Sequence, residues 1–181
     1  MSSPDKPRAA RGDTRYALRT KRLALSAILA ALAMILSYIE ALIPMPVPIP
    51  GIKLGLANLI VLIAIYRLGF KYAFIINCVR ILTAGLLFTG VFGVIYSFAG
   101  GLLSIGVMYL LYRTKAFSPV GISMAGGVLH NFGQLITACF IMSNIKLMSY
   151  FAVLLFSGMI SGIAIGIAAS LLLTKLPHLK V

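Results

Sequence analysis

Arg80 lies in an apolar stretch with Asn77 three residues before it and Thr83 three after, a spacing that puts all three on one helical face. A second group, His130, Asn131 and Gln134, falls in Gly126-Gly-Val-Leu-His-Asn-Phe-Gly-Gln134, with His130 and Gln134 one turn apart. Gly126 and Gly127 thin the helix at that level, which would admit a ligand or a neighbouring backbone. Glu40, Lys53 and Asn58 stand near the ends of two further apolar runs. Ionisable groups at membrane depth cost at least about 2–3 kcal/mol each, so each implies a partner or a function. Arginine suits two-pronged recognition of phosphate or carboxylate. Arg80, His130 and Lys53 together would make a cationic pocket for an anionic small-molecule substrate entering from outside, with Asn77, Asn58, Asn131, Gln134 and Glu40 as further contacts. The other reading is an internal network. In it Arg80 pairs with Glu40 or helix carbonyls, His130 bonds between helices, and Asn131 and Gln134 hold helices together.

Several chemistries lack their residues. The acidic side chains are Asp5, Asp13 and Glu40, so the paired acidic clusters that hold Mg²⁺ and a diphosphate for prenyl transfer are missing. No GxxxxGK[ST] phosphate loop occurs, and no aspartate sits in an apolar run to complete a Ser-His-Asp set. Two His and two scattered Cys have no zinc-ligand spacing, and Cys78 and Cys139 read as small buried hydrophobes. No metal or cofactor is expected. The residues fit a binding or transport subunit that draws energy from a partner better than an enzyme acting alone.

The elements that must position these groups follow from composition. The 181 residues are 61% hydrophobic and 10% charged, where a soluble domain is roughly 45–50% apolar and about 25% charged. Apolar runs predict an all-α membrane protein of six spans, at about 23–43, 52–66, 72–89, 92–112, 120–142 and 148–173. A membrane domain then covers 23–174, between a basic tail at 1–22 and a short tail at 175–181. The first run is too long for a signal-peptide core and no A-x-A-like site follows it. Residues 1–20, polar and basic, are expected to be disordered or to lie on the anionic inner leaflet. Pro44, Pro46, Pro48 and Pro50 force an extended loop after the first span.

The net charge of +13 does not point to nucleic acid, because the cations cluster in the tail and at the ends of apolar runs. With six spans and both termini cytoplasmic, only Lys53 and Lys146 fall outside and Arg80 within the membrane. Dropping the short second run would put Arg67 and Lys71 outside, against the positive-inside rule. That short helix is expected to sit beside protein rather than lipid, or to extend outward through Lys53.

Small residues at four-residue spacing mark helix contacts, since lipid gives helices no hydrophobic reason to associate. Gly158, Gly162, Gly166 and Ser170 form one such stripe, and Gly93, Ser97 and Gly101 another. The first span carries Ala27 and Ala31 on one face and Ala33, Ser37 and Ala41 on another. Internal packing accounts for most of these; the first span is the candidate for docking a second membrane protein.

Four segments carry a family resemblance: Pro50-Gly-Ile-Lys-Leu-Gly-Leu-Ala-Asn58, the stretch from Arg80 through Gly85-Leu-Leu-Phe88, Tyr96-Ser-Phe-Ala-Gly-Gly-Leu-Leu-Ser104 and His130-Asn-Phe-Gly-Gln134. Over about 23–172 the chain resembles the Gx transporter family, also called heptaprenyl diphosphate synthase component I. That family looks like the substrate-binding S-components of energy-coupling-factor (ECF) transporters. The resemblance implies a six-helix subunit of the bacterial cytoplasmic membrane. It would bind its substrate near the outer face and dock on a shared transmembrane subunit driven by two ATPases. Ala27 and Ala31 would then face that subunit, and the Pro-rich loop would gate the site. The component I name implies a link to isoprenoid or quinone metabolism, in which this chain would be an accessory subunit.

Overall fold

After Pro7 the chain has no proline until Pro44, and a single helix fills the interval, α1 (Arg8–Leu42). The computed structural model describes residues 8–43 and 55–175. Lys53, the Pro-rich stretch and the C-terminal tail beyond Lys175 lie outside them. The basic tail, expected to be disordered or to lie on the inner leaflet, is helical from Arg8 onward, which removes the first alternative for the residues described. Ala9, Ala10, Ala17, Leu18 and the arginines are good helix formers, and they extend a helix that the first span already nucleates.

The remaining elements are α2 (Leu56–Arg67), α3 (Phe70–Ala84), a π-helical turn (Gly85–Thr89), α4 (Gly90–Thr114), α5 (Pro119–Ile141), a 3-10 turn (Ile145–Tyr150) and α6 (Phe151–Lys175). Among the described residues all regular structure is helical. Four runs are long and apolar enough to cross a membrane: Tyr16–Leu42, Phe70–Thr114, Pro119–Ile141 and Ile145–Lys175. The third and fourth expected segments are therefore one continuous helical run, without a connecting loop. It does not run straight. Asn77 donates to the carbonyl of Gly101, 24 residues on, which a straight helix would hold about 36 Å away. The reversal comes at Thr89–Gly90, where Gly90 takes φ +72°, a conformation open to glycine at little cost.

Helix α2 has 12 residues, about 18 Å, well short of a roughly 30 Å hydrocarbon core. Ile60 to Ile65 are all buried, so every face of it meets protein. Ser118 caps α5 by accepting from the Gly121 N–H, and Pro119 supplies the preset first residue. Glycines let α5 and α6 approach at backbone distance: a Cβ on Gly162 would stand 2.6 Å from Met124 Cα, and one on Gly127 2.5 Å from the Gly158 carbonyl oxygen. The glycine stripe of the last helix is thus internal packing.

One end of the bundle is basic. There Arg67 donates to the Leu173 carbonyl at 2.5 Å, tying the end of α2 to the end of α6. Tyr66, Tyr109, Tyr112 and Phe70 stack beside it, with Tyr66 and Tyr112 centroids 4.7 Å apart. Among the described basic side chains only Arg80 and Lys146 lie away from this end.

Candidate functional site

The C-terminal end of α1, the π-helical turn and the first turns of α4 surround a cavity of about 230 Å³. Single π-helical turns insert an extra residue into a helix and are frequent at functional sites. Here the turn brings Phe88 and Thr89 to the wall that α3 continues with Arg80, while α1 adds Ser37 and Glu40 and α4 adds Ser97. Phe88 and Thr89 are exposed and mark the mouth. Tyr38 packs on Phe88 with ring centroids 5.2 Å apart, giving the mouth an aromatic side.

Arg80 is only 8% exposed. Its Nη2 donates to Asn77 Oδ1 at 2.7 Å, and Asn77 Nδ2 in turn donates to the Gly101 carbonyl at 3.2 Å. This chain of bonds fixes the guanidinium against the α3–α4 hairpin. Arg80 Nε is buried and has no hydrogen-bond partner among the described residues, and neither does the hydroxyl of Ser37. A buried donor left unmade costs about 1–3 kcal/mol, more on a charged group, so this edge of the guanidinium is set to receive an anion or water.

Glu40 joins the cavity wall to the start of α2. Its Oε1 accepts from the Gly55 N–H at 2.6 Å, and its charge acts on Arg80 across the cavity. Gly55 precedes the first turn of α2 with φ +72°. Glu40 therefore places a negative charge at the positive end of the α2 dipole while joining α1 to α2.

The expected site residues divide between two places. Arg80 and Glu40 line this cavity, and Asn77 reaches it only through its bond to Arg80. His130, Asn131 and Asn58 border a separate void of about 10 Å³ between α2, α5 and α6, about the size of one water molecule. Asn131 Nδ2 donates to the Leu154 carbonyl at 2.9 Å and so links α5 to α6. Gln134 and His130 face Gly100 of α4, where an added Cβ would stand 2.8 Å from Gln134 Cγ. The Arg80 cavity and the His130 void share no lining residue. Asn131→Ala is expected to cost about 0.6 kcal/mol and at most about 1.7, the range for polar contacts between membrane helices, read as a lowered unfolding midpoint in detergent.

Ser37, Ser97, Phe88 and Thr89 also line the cavity, and no spacing in the sequence marks them as site residues. Ser37 and Ser97 did stand out, but in small-residue stripes, where serine reads as packing. Ala27 and Ala31 are exposed on the side of α1 turned from the bundle, whereas Leu29 and Ala33 are buried against it. Among the described residues no three His, Cys, Asp or Glu side chains gather in one place.

No curated protein and no solved structure matches this chain. The model of one family, heptaprenyl diphosphate synthase component I, matches residues 29–172, most of its length. An all-helical chain with membrane-length apolar helices, matched over that span, belongs to the heptaprenyl diphosphate synthase component I family.

Proposed function

We propose that this chain is the substrate-binding membrane subunit of an ECF-type transporter, crossing the bacterial cytoplasmic membrane six times with both termini in the cytoplasm. Its substrate is a small anion with an apolar, isoprenoid- or quinone-related body. The observation that carries this reading is the cavity beside Arg80. A held guanidinium with a free buried edge suits an anionic group, and Phe88 and Tyr38 suit an apolar one. The orientation follows from the basic end of the bundle: by the positive-inside rule it faces the cytoplasm, and the cavity mouth then faces out.

The exposed Ala27 and Ala31 support a flat face on α1 for the ECF transmembrane subunit, with its two ATPases supplying energy. Purification from a mild detergent is expected to recover those subunits with the chain. Ala27→Leu with Ala31→Leu should reduce the recovery about tenfold, since overpacking a close helix contact costs about 1–3 kcal/mol. A chain that purifies alone and still supports uptake without the ATPases contradicts the proposal.

The family name favours a second reading, a non-catalytic component of heptaprenyl diphosphate synthesis. In that case the chain should co-purify with a soluble prenyl synthase rich in acidic motifs, and that enzyme should lose activity without it.

A further inference from the structure

A separate cavity lies at the basic end of the bundle, between α1 and α3. Among the described residues Leu18, Arg19, Arg22 and Tyr72 line it, and its volume is about 340 Å³. Arg19 and Arg22 are three residues apart, so both guanidinium groups leave α1 on one side. The acidic side chain described, Glu40, stands 18 residues beyond Arg22 in the same helix, about 27 Å along its axis. A hydrocarbon core is about 30 Å thick. With Glu40 near one boundary of the bilayer, Arg22 falls at the other, at the level of the Tyr66, Tyr109 and Tyr112 cluster, and interfacial tyrosines collect at that depth.

Two arginines that share a cavity at headgroup depth match the tetrahedral oxygens of a phosphate, and the Tyr72 hydroxyl adds a neutral donor. Immediately inward, Leu23 of α1 and Ile75 of α3 are each 55% exposed. They offer acyl chains a surface that a free phosphate ion would leave unused. We propose that this cavity binds the headgroup phosphate of an anionic phospholipid from the leaflet bounding the basic end. Arg19 and Arg22 grip the phosphate, Tyr72 donates to it, and the acyl chains run along Leu23 and Ile75. The lipid would add to the contacts that α1 already makes with α3.

Native mass spectrometry of the full chain, titrated separately with phosphatidylglycerol, phosphatidylcholine and inorganic phosphate, tests this. Phosphatidylglycerol should be retained in preference to phosphatidylcholine, and millimolar phosphate should not displace it. Arg19→Gln with Arg22→Gln should weaken that retention about thirtyfold, taking roughly 1 kcal/mol per interfacial cation. Tyr72→Phe, a milder change that spares the fold, should weaken it in the same direction. Lys115→Gln with Lys175→Gln removes the same charge from the same end and should leave it unaltered. Equal retention of the two lipids, displacement by phosphate, or equal loss in the two double variants would each overturn the proposal.

Discussion

Arg80→Ala is expected to lower retention of a small anionic ligand of the kind proposed for this cavity by about a hundredfold or more. Hydrogen bonds to a charged group are worth about 1.5–3 kcal/mol each, and a guanidinium edge supplies two. The variant should still fold. Holding an arginine at this depth costs a few kcal/mol, so its removal relieves one penalty while Asn77 loses a 2.7 Å bond. Arg80→Lys, which keeps the charge and loses the fork, should fall between. His130→Ala is the informative contrast, because His130 sits in the packed region between α4 and α5, away from the cavity. It should lower the unfolding midpoint in detergent and leave the bound molecule in place. Native mass spectrometry and a thermal scan on the same samples separate the two. If both variants lose stability equally and neither changes retention, Arg80 belongs to an internal network and the binding reading fails.

The second large effect is expected at the α5–α6 contact. Gly162→Leu would force a side chain into backbone, since even a Cβ there would lie 2.6 Å from Met124 Cα and 2.8 Å from the Ser123 carbonyl oxygen. No flexible side chain can yield at that point. The helices must separate, and the close approach that replaces the hydrophobic effect inside a membrane is lost along Gly127, Gly158 and Gly166 together. Overpacking of this kind costs about 1–3 kcal/mol, and more where backbone must move. The yield of monodisperse protein in detergent should collapse. Gly106→Leu, at a glycine with no neighbour within 4 Å of its Cβ position, should be tolerated.

These two positions also show how far the sequence could be read. The glycine stripe of α6 was legible because four-residue spacing has one main use between membrane helices, and the structure puts it against α5. The short second helix was legible as protein-shielded from its length, and its buried faces agree. The site was only partly legible. Asn77 and Arg80 share a face by local geometry alone, and they do bond. Placing His130 with Arg80 required knowing how α3 and α5 rotate about their axes, which no spacing within either helix encodes. The π-helical turn was hidden for a related reason: Gly85-Leu-Leu-Phe-Thr89 has an ordinary apolar composition, and the reversal shows only in tertiary contacts such as Val94 on Gly85 and Asn77 on Gly101. The Glu40–Gly55 bond spans 15 residues across a Pro-rich stretch, so it too was beyond local reading.

An outward-facing binding subunit needs the Arg80 cavity to open on the side of the membrane opposite the basic helix ends. The direct measurement uses a membrane-impermeant thiol reagent on intact cells, in a background with Cys78 and Cys139 replaced. Thr89→Cys, at the cavity mouth, should react before the cells are permeabilised, and Lys115→Cys, at the basic end, only afterwards. Labelling in the reverse order would put the Arg80 cavity on the cytoplasmic side and contradict an outward-facing binding subunit.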